Sequence, residues 1–276
     1  MTRGAARSLP RRLVRPLLVA AFWLGVWQLA TVVVAQDLLL VSPRAVVVRL
    51  GELATTADFW ATVWHSVSRI TAGFLAAAVV GALAAAAAAG SAVVDALLTP
   101  VVTAIRSTPV VSFIILVLMW TGSGRLALVI SFTMVLPVFY ANVLEGIRSR
   151  DRALLEMAAV FDVPTLRRVP AVDLPAVLPF VVAACRIGVG LAWKSGVAAE
   201  VIGLPQGSIG ERLYQAKLFL STADLFAWTV VIVALSYGLE RLVLALLDRL
   251  RDRLARGAGP VGPAGPAAPV APEVAA

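Results

Sequence analysis

Residues 67–90 read VSRITAGFLAAAVVGALAAAAAAG. Arg69 is the only charge among them. A helix of this length measures about 36 Å at 1.5 Å per residue, enough to cross roughly 30 Å of hydrocarbon. Working outward, runs of the same character lie at about 17–35, 93–121, 125–146, 176–201 and 224–247. Across all 276 residues, 60% are apolar by the AVILMFWYC set and 14% are charged, with a mean hydropathy of +0.91. Soluble domains hold roughly 45–50% apolar residues even when Gly is counted, so a soluble fold of this size could not hide so much apolar surface. The expected fold class is all-α: a polytopic membrane protein with about six transmembrane helices.

The formal charge is +8 and the pI near 10.9. The basic residues sit mainly in short segments between apolar runs, where they act as orientation signals and headgroup contacts, so nucleic acid is not an expected partner. Arg3, Arg7, Arg11, Arg12 and Arg15 precede the first run. That run is about 19 residues long, against ~7–15 for the apolar core of a signal peptide, and reads as a retained span. Arg148, Arg150, Arg152, Arg167 and Arg168 fall in the 147–175 loop, and Arg249, Arg251, Arg253 and Arg256 follow the last run. The basic excess therefore places both termini in the cytoplasm. The expected organisation is a basic N-terminus over 1–16, a transmembrane domain over 17–250, and a tail over 251–276. The Pro, Ala and Gly content of that tail reads as disorder.

Small residues recur at every fourth position in two spans: Gly73, Ala77, Gly81, Ala85 and Ala89 in the second, and Ala184, Gly188, Ala192 and Gly196 in the fifth. Such stripes let helix backbones approach closely in lipid. The second span is so rich in Ala that its stripe also arises by chance, which makes the fifth the better packing candidate. Ser42-Pro43 reads as an N-cap followed by Pro at the first helical position, opening a short interfacial helix. The third run is overlong and interrupted at Arg106-Ser107-Thr108-Pro109. Pro109 removes a backbone donor and frees carbonyls that lipid cannot satisfy, so this break is expected to be buried at an oligomer axis or to face water.

The loop at 149–175, SRDRALLEMAAVFDVPTLRRVPAVDLP, is not merely polar. Leu154, Ala158 and Phe161 fall at helical spacing with Leu155 and Ala159 beside them, giving a short amphipathic helix that Val163-Pro164 should end. An exposed apolar face of this kind is covered either by the membrane surface and neighbouring spans or by a partner protein.

Glu156, Met157, Ala158, Asp162, Val172, Leu174 and Pro175 keep every spacing of Glu-Ala-Ala, three residues, Gly, nine residues, Ile-x-Leu-Pro. On that pattern the chain resembles the type I permease subunits of bacterial ABC importers. Met157, Asp162 and Val172 depart from it; Asp162 stands where the family has a Gly in a left-handed turn. Ser66, Arg69 and Gly73 resemble the Ser-x-x-Arg-x-x-x-Gly of the nitrate/sulfonate/taurine-type permeases. Arg106 to Pro109, Trp120 to Gly124, Leu191 to Trp193, Ala199-Glu200 and Gly203 to Gly210 resemble the same group, so that the likeness covers about 40–250.

The resemblance implies a subunit without catalytic residues, metal or cofactor, which forms the pathway for a small solute in the bacterial plasma membrane. It implies two copies of an ABC ATP-binding subunit, an extracytoplasmic substrate-binding protein, and a second permease copy related by a two-fold axis. The ATPase-coupling residues would be Leu155, Glu156, Ala158, Ala159, Asp162, Leu174 and Pro175, with Glu156 as charged anchor and Leu155, Ala158 and Ala159 as packing face. Arg106, Pro109, Lys194 and Glu200 are candidates for the pathway or its gate. Lys194 lies about 9 Å from the outer end of the fifth span, where it either snorkels to headgroups or faces the pathway and favours an anionic substrate. Glu200, about 120° further round the helix, is not expected to pair with it.

Other chemistries find no support in the chain. Cys185 and His65 are each the only residue of their type, which removes intrachain disulfides, thiolate clusters and multi-histidine zinc sites; His65 lies near a membrane boundary with no carboxylate partner in local register, which speaks against Ser/His/Asp hydrolysis. Residues 188–195, GVGLAWKS, approach the phosphate-loop pattern, but Trp193 replaces its second Gly and no strand precedes it. The alternative reading is an ion-coupled secondary transporter. Its coupling-ion site would have to come from Arg106, Lys194 and Glu200, and it leaves the loop motif without a role.

Overall fold

The computed structural model describes residues 11–36 and 38–257, and every regular element among them is helical. In chain order the α-helices are α1 (Arg11–Val34), α2 (Pro43–Ala54), α3 (Ala57–Gly90), α4 (Ala92–Ser107), α5 (Val110–Thr121), α6 (Leu126–Arg148), α7 (Arg152–Val160), α8 (Thr165–Arg168), α9 (Leu174–Gly203), α10 (Ile209–Leu218) and α11 (Thr222–Gly257), with a 3-10 turn at Ser123–Arg125 before α6 and a π-helical turn at Val169–Asp173 before α9. Among the described residues, four helical segments are long and apolar enough to cross a membrane: Ala57–Gly90, Ser123–Arg148, Leu174–Gly203 and Thr222–Arg249. The third run forms a fifth only if α4 and α5, which meet at a 107° bend, count as one broken span. In α1 the described apolar stretch, Leu18–Val34, is shorter.

Local chemistry sets the helix starts. The Ser42 hydroxyl accepts from the Ala45 amide with Pro43 at the first helical position, as the sequence predicts. Thr56, Ser91 and Ser208 cap α3, α4 and α10 in the same way, each satisfying an amide that the helix leaves orphaned. Capped at Thr56, α3 begins ten residues before the apolar run, at Ala57. At the far end of the chain, α11 runs through Gly257. Residues 251–257 are therefore helical rather than part of a disordered tail; positions 258–276 lie outside the described residues.

The centre of the bundle is α6, packed between α3 and α9. Both small-residue stripes serve this packing. A Cβ on Gly73 would collide with the Leu128 carbonyl oxygen, and one on Gly81 would stand 2.8 Å from Phe139 Cβ. A Cβ on Gly196 would lie 2.6 Å from both Ile70 Cγ1 and Ser131 Oγ. In α3 the last member of the stripe is Ala88, which is buried, and not Ala89, which is exposed. A straight helix turns 3.6 residues per turn, so a strict four-residue repeat drifts off one face after several turns. Ser131 donates to the Ala192 carbonyl at 3.0 Å and Trp193 Nε1 to the Ile232 carbonyl at 3.0 Å, tying α9 to α6 and to α11.

Ion pairs sort the helix ends into two groups. Arg49 pairs with Asp224 and Glu52, and Arg212 with Asp58, which gathers α2, α10 and the starts of α3 and α11 at one end. At the other, Arg148 at the close of α6 meets Asp95 of α4 at 2.7 Å, and Arg150 and Arg168 both meet Asp173. The loop with the Glu156 motif lies at this second end. Large apolar side chains on α1 and α5, Trp120 among them, point outward, as required of surfaces that meet lipid or another subunit.

Candidate functional site

The loop at 149–173 is closed on itself. Arg150, two residues past α6, donates to the Ile147 carbonyl at 2.7 Å and to Asp173, which also holds Arg168. The Asp151 carboxylate caps α7 through the Ala153 amide. At the other end of α7 the Val163 amide bonds the Ala158 carbonyl at 2.9 Å and the Asp162 amide bonds the Ala159 carbonyl at 3.2 Å, with Asp162 at φ +49°. Those two bonds around a left-handed residue are the Schellman arrangement. Asp162 thus adopts the turn for which the pattern carries a Gly, at the steric cost of a Cβ in that region.

The faces of α7 differ from the expected ones. Ala158 is only 6% exposed and turned toward the chain's own body, and Leu155 is half-buried. Ala158 therefore stands corrected as a free packing residue: its own protein already covers it. The open surface carries Glu156 and Ala159 with Leu154, Met157, Val160 and Phe161, the last two 78% and 74% exposed. Leu174 and Pro175 begin α9 and are exposed.

The break in the third run is where the sequence places it. Thr108 is extended (φ −80°, ψ 128°), as a residue before proline prefers. The Ala104 carbonyl there accepts from the Ser107 hydroxyl at 3.1 Å, the Thr108 hydroxyl at 2.7 Å and the Thr108 amide at 3.1 Å. Side-chain hydroxyls thus help satisfy a carbonyl at the helix end. Arg106 and Pro109 are exposed.

Glu200 requires a correction. It is 0% exposed and lies among α3, α9 and α10 rather than on an open face. Its Oε2 accepts from the Ser66 hydroxyl at 2.8 Å and from the Gly210 amide at 3.2 Å, while Ser66 Oγ accepts from the Ile209 amide at 3.0 Å. Two side chains from other helices thus cap the first turn of α10, where a carboxylate is favoured. A Cβ on Gly210 would collide with the backbone of Glu200, so only Gly brings that amide within reach. Ser66, Glu200 and Gly210 are joined by hydrogen bonds and close packing, which holds Glu200 as an anchor inside the protein rather than on an open face.

Lys194 is exposed on the side of α9 away from α6. Sequence reading overlooked Arg186, which is also exposed, on the same helix. It is the 13th of the 30 residues of α9 and so sits near the middle of a span. A cation facing lipid at that depth costs roughly 2.5–3.5 kcal/mol or more. Counting positions along the helix from Lys194 was the available signal: eight residues back falls within about 80° of it.

Over residues 70–257 the chain matches the family model described as binding-protein-dependent transport system inner membrane component. It is 32% identical over 241 residues to the protein of Escherichia coli named as aliphatic sulfonates transport permease SsuC, covering 86% of this chain and 90% of the relative. Identity to the taurine transport system permease protein TauC of Escherichia coli is 29% over 231 residues, covering 81% and 83%. For the bicarbonate transport system permease protein CmpB of Synechococcus elongatus it is 27% over 187 residues, covering 67% and 66%.

Proposed function

This chain belongs to the family of binding-protein-dependent transport system inner membrane components, a permease subunit and not an enzyme, and from that premise we propose how it works as an importer. Two copies face each other across a two-fold axis and enclose a pathway for a small solute of the sulfonate, taurine or bicarbonate kind. An extracytoplasmic protein delivers the solute at the α2–α10 end. Two ATP-binding subunits engage the opposite end, which lies in the cytoplasm with both termini. The observation that carries this reading is α7, held by the Asp173 clamp and the Asp162 turn and presenting Glu156, Ala159 and an open apolar face. A rigid helix of this kind transmits a displacement of the ATPase to α6 and α9, the spans on either side of its loop. Arg106, Pro109 and Lys194 line the pathway.

The test is copurification of the ATPase, with solute uptake, for Glu156→Ala and Ala159→Trp. Both positions are exposed, so membrane levels of the permease should hold. A charge-assisted contact is worth about 2–5 kcal/mol when desolvated and much less at a wet rim, so Glu156→Ala should weaken assembly. Ala159→Trp should abolish it by steric obstruction. Normal copurification and uptake with Ala159→Trp refutes the docking assignment.

A further inference from the structure

We propose that Arg186, Gly190 and Lys194 form an anion-binding track on the exposed face of α9, which carries the anionic group of the solute through the middle of the membrane. The inference rests on the permease reading and adds to it a site and a ligand class. The two cations are eight residues apart, about 12 Å along the helix and within about 80° around it. Gly190 stands midway between them in both senses. The opposite face of α9, with Gly188, Ala192 and Gly196, is consumed by packing against α3 and α6. Among the described residues neither Arg186 nor Lys194 forms an ion pair, and Glu200, the nearby carboxylate of the same helix, points into the protein.

Three observations favour a small anion as occupant. First, Arg186 is about 18 Å from one end of α9 and farther from the other, too deep for its side chain to reach headgroups. Its charge therefore needs water or an anion. Second, a Cβ on Gly190 would meet nothing within 4 Å. Its smallness is not used by this chain's own packing and leaves open floor between the cations. Third, a guanidinium offers paired donors to a planar or tetrahedral oxyanion and an ammonium a compact charge, which suits a sulfonate, carboxylate or bicarbonate. Handing the anion from one cation to the other keeps each site shallow enough to release it.

The experiment uses the permease–ATPase complex in lipid vesicles. Gly190→Cys reports the electrostatic potential between the two cations, with wild type as background because Cys185 is buried. The probes are a methanethiosulfonate bearing an ethylsulfonate group and its trimethylammonium counterpart. Two nearby cations should make the sulfonate reagent react about tenfold faster than the ammonium one. Arg186→Gln and Lys194→Gln should each reduce that ratio several-fold. The expected ratio is the same in vesicles with and without phosphatidylglycerol; dependence on that lipid would assign the track to headgroups and overturn the proposal. No reaction with either reagent in any nucleotide state, or a ratio indifferent to both glutamine variants, also overturns it. If Gly190→Cys fails to reach the membrane, Lys194→Cys makes the same comparison against Arg186 alone. ATPase copurification with wild type tests the permease reading separately, since the reagent ratio does not depend on it.

Discussion

Replacing Glu200 with alanine separates an internal anchor from a pathway residue. Glu200 Oε2 accepts from Ser66 at 2.8 Å and from the Gly210 amide at 3.2 Å, in a site with no solvent exposure. Hydrogen bonds to a charged group contribute about 1.5–3 kcal/mol each, so the pair is worth roughly 3–6 kcal/mol. Against this stands the burial of the carboxylate, whose Oε1 has no partner; removing it returns part of its desolvation cost. The variant also leaves the Gly210 amide buried without an acceptor and opens a cavity, so a net destabilisation of about 2–4 kcal/mol is expected. The assay is thermal unfolding of the purified complex, with membrane levels and uptake measured beside it. A double-mutant cycle with Ser66→Ala should show a coupling of about 1–3 kcal/mol. Glu200→Gln, which keeps the shape and one acceptor, should cost less than alanine. Wild-type stability for Glu200→Ala together with altered uptake would refute the anchor and return the residue to the pathway.

Gly73→Ala should destabilise the bundle by about 1–3 kcal/mol, because the new Cβ meets the Leu128 carbonyl and not a movable side chain; unfolding midpoints in denaturing detergent check this. Asp162→Gly should keep or raise stability, by up to about 1 kcal/mol, since it relieves a Cβ at φ +49° without touching the two amide bonds of the turn; uptake should be unchanged, and a loss would mean the carboxylate itself is needed. Lys194→Met should leave stability unaltered, because the side chain is exposed and unpaired among the described residues. It should reduce uptake of anionic solutes; wild-type uptake at normal expression rules out its pathway role.

Much of this protein is legible without coordinates because the signals are short in range. Hydropathy over about 20 residues marks the spans, since the bilayer sets the length. The Ser42-Pro43 start and the break before Pro109 follow from capping and proline sterics within a few residues of each site, and the left-handed turn at 162 from the resemblance of the loop to the permease pattern. Which face of a helix is occupied is another matter. On α7 the periodicity marks an apolar stripe, yet only the packed body shows that Ala158 is covered and that Met157, Val160 and Phe161 are open. On α9, Arg186, Lys194 and Glu200 are all ionisable groups in one apolar run, but Glu200 caps α10 from within while the two cations face outward. The bonds of Glu200 to Ser66 and Gly210 span 134 and 10 residues. Local sequence determines where helices begin, break and end; burial depends on which distant segment packs against each face, and so only the tertiary structure decides whether a charge is an anchor or is free to meet a solute.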